Sequence, residues 1–461
     1  MSGGVPRLLL CAPHSGGGKT TVSCCLLQCF ANRGLRPVAF KCGPDYIDPM
    51  FHSEIIGVPS RNLDLFFLGR EGTRRSLREN GEKGGVALIE GVMGYYDGIA
   101  MSTEASAWAL ARETETPAVL VLEARGLALS AAAAVEGFRR FREPSCIRGV
   151  ILNRCAPMLY PRLAAAITEE TGLPVFGYLP ELPDCALESR HLGLVTAAEV
   201  EDLREKLARL ARQGEKSLDI AGLLALAKSA PPLPAAETPL PPPVAGHPRI
   251  AVARDEAFCF YYADALELLE RLGAALVDFS PLKDPALPAG CAGLYLGGGY
   301  PETHARALSE NASMRRSIRT AITGGLPTIA ECGGFLYLHD RLEDMEGEFW
   351  PMCGVIAAEG YRTPRLSRFG YVTLTTEKAG LLGPAGTVLP GHEFHYWDSR
   401  DPGDGLRAEK PQSDRKWRCG HLTETLYAGF PHFHLSAVPD TARRFVEACA
   451  RYAAGNENLR K

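Results

Sequence analysis

The feature that most constrains this chain is a repeated alternation of short apolar runs with helix-like segments through its first 228 residues. Short apolar runs bounded by turn residues predict buried strands, and their alternation with helices predicts a parallel sheet that is covered on both faces. The predicted strands cover residues 8–12, 38–41, 86–90, 118–122, 150–153 and 175–179, and the predicted helices cover residues 20–32, 104–113, 127–139 and 162–171. The first half of the chain is therefore predicted to be an α/β domain.

A proline-rich segment at residues 229–248 interrupts this alternation. Proline cannot donate a hydrogen bond to a central strand and favours extended geometry, so we interpret the segment as a semi-rigid linker. After it the alternation resumes with the segments IAVA (250–253), LYLGGG (294–299) and PTIAECGG (327–334), which begin as apolar runs, and with predicted helices at 262–272 and from residue 313. The 461 residues are enough for two or three domains. We predict one domain at residues 1–228 and a second α/β domain at residues 249–461.

Composition and charge exclude several classes of protein. A chain that is 46% hydrophobic and 23% charged is not collagen-like, coiled-coil or disordered. The net charge of -4 provides no global field for nucleic acid or an anionic membrane. The apolar run near the N-terminus is too short for a signal peptide, and the 14 cysteines include no C-x-x-C pair. We expect a reduced, cytoplasmic protein that binds neither nucleic acid nor a membrane.

A glycine-rich loop follows the first predicted strand in LLLCAPHSGGGKTT. Its glycines allow backbone N–H groups to approach a phosphate, and the helix that begins at Lys19 adds its dipole. Lys19 is expected to reach the β- and γ-phosphates and the Thr20 hydroxyl to ligate Mg²⁺. Pro13 stands where the P-loop consensus has glycine, so the match covers only its G-K-T half. The candidate nucleotide-binding residues in this segment are Gly16, Gly17, Gly18, Lys19, Thr20 and Thr21.

Acidic residues follow two neighbouring predicted strands. Glu90 ends the third predicted strand, at the edge where open α/β sheets bind their ligands, and could hold Mg²⁺ directly or through water. Asp97 lies seven residues further on in a glycine-flanked loop, where a turn aspartate is the simpler interpretation. Lys41, Asp45 and Asp48 lie at and after the end of the second predicted strand. Together these residues predict substrate and metal contacts at the edge that carries the glycine-rich loop.

A cysteine in the second half has the setting of a nucleophile. In PTIAECGGFLYL, Cys332 follows a buried strand and precedes two glycines and a helix-like run, as in a nucleophile elbow. His432 and His434 in FPHFHLSA share one face if that segment is a strand, so either could act as the base. Gly298 or Gly299 in LYLGGGYPE can supply oxyanion N–H groups.

Seven motifs in this order resemble the cobyrinic acid a,c-diamide synthases of corrinoid biosynthesis: CGPDYIDPMFH, EGVMGYYDG, RHLGL, VARDEAFCFYY, LYLGGGYPE, AECGGFLYL and GHEFHY. The resemblance implies a P-loop NTPase-like domain similar to dethiobiotin synthetase, followed by a class I glutamine amidotransferase-like α/β domain. It implies amidation of the a and c acetate carboxylates of cobyrinic or hydrogenobyrinic acid in cobalamin biosynthesis. ATP and L-glutamine would be co-substrates, Mg²⁺ the metal and a tetrapyrrole the partner, and a homodimer is compatible with this expectation.

The resemblance also implies roles for individual residues. It places the nucleophile on Cys332 and the general base on His434, while Ser436 stands where ordinary triads carry glutamate, so the third triad member is left open. An acyl phosphate would be formed at the first site and a thioester at the second. The remaining expected contacts are Asp45, Tyr46 and Asp97 to the tetrapyrrole, Asn153 to the adenine, and Thr20 and Glu90 to the metal.

Two alternatives remain open at this point. The nickel-sirohydrochlorin a,c-diamide synthases of coenzyme F430 biosynthesis belong to the same family and share its signals. A partition ATPase of the ParA/MinD type has a related phosphate loop. That class expects a lysine five residues before Lys19, where this chain has His14, and it leaves the second domain unexplained.

Overall fold

The computed structural model describes residues 4–185, 197–234, 239–366 and 368–460, with side chains except at 197–199 and 456–460. The chain divides into two compact units, Met1–Thr238 and Pro239–Lys461, and the division falls inside the predicted linker. The RHLGL motif at residues 190–194 and linker residues 235–238 lie outside the described residues. Within the described ranges, a helix that combines the length and the apolarity needed to span a bilayer does not occur.

The first unit contains seven strands and eight α-helices in the described residues. The strands are β1 (Arg7–Cys11), β2 (Pro37–Cys42), β3 (Ser60–Leu63), β4 (Val86–Glu90), β5 (Ala118–Glu123), β6 (Ile147–Asn153) and β7 (Val175–Tyr178). The helices are α1 (Lys19–Asn32), α2 (Ile47–Phe51), α3 (Leu65–Gly81), α4 (Ala107–Glu113), α5 (Ser130–Arg140), α6 (Tyr160–Thr171), α7 (Ala197–Ser217) and α8 (Ile220–Lys228). A π-helical turn, His52–Ile56, follows α2 directly.

The seven strands form one parallel sheet in the order β3–β2–β4–β1–β5–β6–β7. Both faces of the sheet are covered because successive residues of its strands enter different cores. In β1, Leu9 and Cys11 belong to one hydrophobic cluster, and Leu8 and Leu10 belong to another. The parallel-sheet α/β class predicted from the alternation is confirmed. Since β1, β2 and β4 are neighbours, the segments that follow them meet at one edge of the sheet.

The second unit is richer in strands. They are β8 (Arg249–Ala253), β9 (Phe258–Phe260), β10 (Ala275–Phe279), β11 (Gly293–Leu296), β12 (Gly298–Gly299), β13 (Thr328–Glu331), β14 (His339–Glu343), β15 (Phe349–Pro351), β16 (Ile356–Arg362), β17 (Arg368–Thr376), β18 (Val388–His395), β19 (Trp397–Ser399), β20 (Leu406–Glu409), β21 (Lys416–Cys419), β22 (His421–Leu422), β23 (Leu426–Gly429) and β24 (His432–Phe433). The helices are α9 (Ala263–Arg271), α10 (Ala305–Glu310), α11 (Ala312–Thr323), α12 (Gly333–Tyr337) and α13 (Pro439–Arg460).

The central sheet of the second unit has the order β10–β8–β11–β13–β23–β22, and only β22 runs antiparallel to its neighbour. Strands β8, β11 and β13 alternate with helices, as the sequence pattern predicted. Two further sheets, β15–β14–β16–β19 and β21–β20–β17–β18–β24, and the short pair β12–β9 complete the unit. This largely antiparallel region was not predicted. The central sheet and β24 together position the residues described next.

Candidate active sites

The glycine-rich loop after β1 has the backbone that its sequence predicts. Gly16 and Gly18 adopt positive φ angles of 77° and 92°, and Gly18 directly precedes α1. A Cβ atom on Gly18 would lie 1.9 Å from Nδ2 of Asn153, so a side chain there has no space. Nδ2 of Asn153 donates to the carbonyl of Gly17 at 3.4 Å, and the expected contact of Asn153 with adenine stays a prediction. The loop leaves the N-terminus of α1 free of capping side chains, which suits an anion.

Lys19 and Thr20 begin α1 and point towards the ends of neighbouring strands. The ammonium of Lys19 donates to the carbonyls of His14 at 3.2 Å and Met93 at 2.5 Å. Burial, followed by the positive charge of Lys41, lowers the pKa of Lys19. The hydroxyl of Thr20 donates to Oε1 of Glu90 at 2.7 Å. Thr21, the remaining candidate on the helix, is half-buried.

Four buried charged or titratable side chains surround the end of β4. Nζ of Lys41 lies 2.8 Å from Oε1 of Glu90 and 2.5 Å from Oδ2 of Asp48. Nε2 of His52 lies 3.8 Å from Oε2 of Glu90. The register of the sheet explains this cluster, because Lys41 and Glu90 are paired residues of β2 and β4.

The pKa directions in this cluster follow from burial and from one shared cation. Burial alone would raise the pKa of Glu90, but Lys41 and His52 lower it to about 2. Burial and the charge of Glu90 raise the pKa of Asp48 to about 7, against the opposing effect of Lys41. Burial opposes the charge of Lys41, yet Glu90 and Asp48 raise its pKa above the usual value. Glu90 therefore stays anionic, and Asp48 is the group that takes up a proton near neutral pH.

The donor set beside the loop fits Mg²⁺. Oε2 of Glu90 is buried and has no hydrogen-bond partner among the described residues, and the Thr20 hydroxyl lies next to the same carboxylate. Mg²⁺ prefers one or two protein oxygen ligands together with substrate phosphates. In the part of the chain that the structure describes, no group of three or more His, Cys, Asp or Glu forms an all-protein metal cage. Thr20 and Glu90 thus fit the small number of protein ligands that Mg²⁺ has when it is also bound by substrate phosphates.

The three expected tetrapyrrole contacts lie around this edge. Oδ1 of Asp45 accepts from the N–H groups of Ile47 at 2.8 Å and Asp48 at 3.1 Å, which holds the start of α2. Tyr46 directly precedes α2 and is half-buried. Asp97 is exposed and accepts from the N–H of Gly94 at 3.0 Å, as a turn aspartate does. Contact of these residues with a tetrapyrrole stays a prediction.

In the second unit, Cys332 occupies a strained turn between β13 and α12. Its φ and ψ angles are 48° and -101°, a region that residues with a side chain rarely adopt. The turn is fixed on both sides: the N–H of Cys332 donates to the carbonyl of Gly429 at 2.8 Å, and that of Gly334 donates to Gly297 at 3.0 Å. The predicted elbow geometry is therefore present, with Cys332 at its apex.

Gly298 and Gly299 lie beside this elbow in β12. A Cβ atom on Gly333 would lie 3.1 Å from the backbone nitrogen of Gly299, so the residue after the cysteine packs against that N–H group. A Cβ atom on Gly298 would lie 2.5 Å from Cε1 of His432. The structure thus brings both glycines to the cysteine and the imidazole, and their donation to an oxyanion stays a prediction.

The structure brings His432, and not the expected His434, to Cys332, so the geometry does not favour His434 as the base, and the role of general base stays a prediction. The side chains of His432 and Cys332 interact as hydrogen-bonding partners. The chain leaves β24 after Phe433, so the expected alternation of a strand does not extend to His434, and a 3₁₀ turn starts at Leu435. The ring of His434 instead stacks on Tyr262 at a centroid distance of 4.5 Å. Burial lowers the pKa of His434 to about 3.

Glu331 is a site residue that the sequence prediction missed. It is 1% exposed, and its Oε2 lies 3.6 Å from Nδ1 of His432, an ion-pair distance. The same carboxylate accepts from the hydroxyl of Tyr295 at 3.1 Å and from the N–H of Phe433 at 3.2 Å. Burial alone would lower the pKa of His432, but contacts with Cys332 and Glu331 raise it to about 10. An acid at the end of an otherwise apolar strand, directly before the cysteine, is the signal that could have identified it.

Comparison with known proteins places both sites in one context. Residues 8–195 match the family model described as the CobQ/CobB/MinD/ParA nucleotide binding domain, and residues 249–438 match the CobB/CobQ-like glutamine amidotransferase domain. The cobyrinate a,c-diamide synthase of Caldanaerobacter subterraneus subsp. tengcongensis is 39% identical over 96% of this chain and 98% of its own. The proteins of the same name from Thermoplasma volcanium and Salmonella typhimurium are 37% and 38% identical over 98% and 96% of this chain, and over 99% and 98% of their own.

Proposed function

This chain belongs to the family of cobyrinate a,c-diamide synthases, and from that membership we propose that it uses ATP and glutamine to amidate the a and c acetate carboxylates of cobyrinate in cobalamin biosynthesis. The family that the sequence motifs resemble is thereby confirmed. The observation that carries the proposal is the occurrence of two different reactive turns in one chain. One is a phosphate loop with Lys19 and Thr20, and the other is an elbow with Cys332 against His432.

The first site would activate the carboxylate. A carboxylate is a poor acceptor for ammonia, because the nucleophile would have to expel an oxide; phosphorylation converts that oxygen into a leaving group. The N–H groups at the start of α1 and the ammonium of Lys19 would hold the transferring phosphate. Thr20 and Glu90 would hold Mg²⁺, which supplies positive charge to the phosphates. The buried Lys41 keeps Glu90 anionic for that role.

The second site would release ammonia from glutamine. The sulfur of Cys332 attacks the carboxamide carbon, and the N–H groups of Gly298 or Gly299 would stabilise the oxyanion that forms. His432 accepts the proton that the Cys332 thiol loses and donates it to the departing nitrogen, so that the carbon–nitrogen bond breaks, ammonia leaves and a thioester remains. Water then hydrolyses the thioester, which yields glutamate and restores the thiol. The strained backbone of Cys332 presents the sulfur at the apex of the turn.

The two half-reactions combine into one ligation. Ammonia attacks the acyl phosphate carbon, the carbon–oxygen bond to phosphate breaks, and the products are an amide and inorganic phosphate. Two rounds convert the a and c acetates.

The free thiol state of all 14 cysteines supports the reducing, cytoplasmic location that the sequence led us to expect.

The identity of the ring is tested by comparing three macrocycles as substrates. Cobyrinate, its metal-free analogue and nickel-sirohydrochlorin are each offered with ATP, Mg²⁺ and glutamine, and the amides formed are counted by mass spectrometry. We expect two amides on cobyrinate, each with one ATP consumed. Amidation of nickel-sirohydrochlorin in preference would favour the coenzyme F430 alternative. Absence of product from every ring would overturn the proposed function.

A further inference from the structure

The glutaminase site lacks a carboxylate at the position where ordinary triads carry it. Ordinary triads carry that glutamate two residues after the base, and the residue two positions after His432 is His434. The ring of His434 stacks on Tyr262 at a centroid distance of 4.5 Å, and Ser436, two residues further on, donates its hydroxyl to the carbonyl of Asp264 at 2.8 Å. Neither His434 nor Ser436 carries a negative charge that could orient the imidazole of His432.

A carboxylate reaches His432 from a different element. Glu331 ends β13, one residue before the nucleophile, and its Oε2 lies 3.6 Å from Nδ1 of His432. The carboxylate is itself fixed, since it accepts from the Tyr295 hydroxyl on β11 and from the backbone N–H of Phe433 on β24. Three elements of the unit therefore determine where its charge lies.

We infer that Glu331 is the positioning residue of the glutaminase site and supplies from the strand before Cys332 the negative charge that a triad carboxylate supplies elsewhere. This inference rests on the proposed function of the second unit as a glutaminase. With Nδ1 of His432 on the Glu331 side, Nε2 is the ring nitrogen left for the thiol. The charge of Glu331 also stabilises the imidazolium that appears when Cys332 loses its proton.

Glu331 could instead be a structural group that only ties three strands together. The variant Glu331→Gln separates these roles, because its amide oxygen still accepts a hydrogen bond from Tyr295 or Phe433 while the charge is lost. We expect the kcat for glutamate release from glutamine to fall by about 10²–10³-fold, the range typical of a disabled acid–base group. The KM for glutamine should stay within about threefold, since the Glu331 carboxylate is buried and faces His432.

A nitrogen-source comparison gives the internal reference. With ammonia in place of glutamine, Glu331→Gln should amidate the ring at the wild-type rate, because the first unit is unchanged. Ser436→Ala is the control: this residue lies four positions after His432 and its hydroxyl is bonded to the carbonyl of Asp264, so the variant should keep both rates within about twofold. Glu331→Asp keeps the charge on a shorter side chain, and we expect it to release glutamate about tenfold or more faster than Glu331→Gln.

A chemical readout reports the imidazolium without turnover. Alkylation of Cys332 by iodoacetamide is followed as a function of pH by mass spectrometry of the Cys332 peptide. The titratable groups that face His432 are Glu331 and Cys332 at the elbow and His392 and His395 on β18. The contacts with Cys332 and Glu331 raise the pKa of His432 against burial. Loss of the Glu331 charge removes one of these two contacts and makes the imidazolium less stable, so the rise in alkylation rate should move to higher pH in Glu331→Gln.

The outcomes are distinguishable from those of the proposed function. Glutamate release within threefold of wild type in Glu331→Gln overturns the inference, as does an equal loss of the glutamine- and ammonia-dependent rates in a folded variant. Equal glutamate release by the Gln and Asp variants also contradicts it. If the wild-type protein releases glutamate but amidates no ring, the proposed function fails while the inference on Glu331 is still tested by glutamate release and alkylation.

Discussion

Both units place a reactive turn where a buried parallel strand ends, but the two turns differ in whether they exclude a side chain or present one. After β1, the residues with positive φ are the glycines Gly16 and Gly18, and the chain offers backbone N–H groups. After β13, the residue with positive φ is Cys332 itself, followed by glycines that let other backbone approach. A turn that must receive an anion excludes side chains, whereas a turn that must present one side chain strains the residue that carries it.

Each unit also contains a buried glutamate, and the pKa values of the two glutamates are shifted in opposite directions. Glu90 in the first unit meets the ammonium of Lys41 at 2.8 Å, and its pKa is lowered to about 2. Glu393 in the second unit lies 3.9 Å from the Arg368 guanidinium, and burial raises its pKa to about 7 in spite of that cation. A cation in close contact lowers the pKa of a buried acid and keeps it charged. A more distant cation does not offset burial, which then raises the pKa.

Loss of the Lys19 ammonium should abolish the chemistry of the phosphate loop and leave the chemistry of the cysteine turn intact. In Lys19→Ala, the phosphate loses its cation, so amidation with either glutamine or ammonia should fall by about 10³-fold, or roughly 4 kcal/mol of transition-state stabilisation. Glutamate release at the other turn should persist. Lys283→Ala, which removes an exposed lysine paired with Glu256, is the control that should keep all three rates. Survival of ammonia-dependent amidation in Lys19→Ala would show that the loop does not handle the phosphate.

The contrast between the buried glutamates predicts a pH-dependent stability. The folded pKa of Glu393 lies above its unfolded value of 4.5, so the folded state binds more protons between pH 4.5 and 7 and loses stability as pH rises through that window. Glu393→Gln removes this loss, which we expect to amount to roughly 3 kcal/mol. The free energy of unfolding in urea at pH 5 and pH 8 measures it. Glu310→Gln on the surface is the control, and an unchanged pH dependence in Glu393→Gln would contradict the raised pKa.

The glycine requirement of the phosphate loop predicts a loss of nucleotide affinity. In Gly18→Ala, the new methyl group would collide with Asn153 and the backbone would be strained, so we expect ATP to bind about 100-fold more weakly, or about 2.7 kcal/mol. Gly34, beyond the other end of α1, has a φ of 69° and open space around it. Gly34→Ala therefore shares the strain without the collision. Calorimetric titration should give equal affinities for wild type and Gly34→Ala; equal affinities for all three proteins would refute the steric argument.

The strain at Cys332 predicts the smallest effect. At an ordinary helical position, glycine is about 1 kcal/mol less stable than alanine, as Ala133→Gly on the exposed face of α5 should show. At position 332, relief of the positive φ should reverse that order, so Cys332→Gly should be up to about 1 kcal/mol more stable than Cys332→Ala. Thermal or urea unfolding of the two variants gives the comparison. A glycine variant that is the less stable by the usual amount would mean that the turn stores no strain.

The fold class followed from the sequence because the strands that build the two parallel sheets are continuous apolar runs. Strand β3, with the sequence SRNL, was missed because an edge strand needs few apolar residues. The two largely antiparallel sheets, β15–β14–β16–β19 and β21–β20–β17–β18–β24, were missed because their strands mix charged and apolar residues and depend on pairing across long sequence separations.

The site was predictable where a single segment encodes it. The glycine loop and the elbow each carry their geometry in about ten consecutive residues, and the structure has both. The choice between His432 and His434 depended on where β24 ends, which is set by its pairing with β18 and by no local pattern. Glu331 was not identified from the sequence because its partner, His432, is 101 residues away, and only the packing of β11, β13 and β24 brings the two side chains together.

The central claim is that the two turns perform separable half-reactions, and one variant tests it most directly. Cys332→Ala is assayed for amidation of cobyrinate with ATP and Mg²⁺, once with glutamine and once with ammonium as the nitrogen source, beside the control Cys291→Ala. We predict that Cys332→Ala loses glutamine-dependent amidation by about 10⁴-fold or more, as expected for a missing nucleophile, and keeps the ammonia-dependent rate within about threefold. Equal loss of both rates in a folded protein would contradict the account.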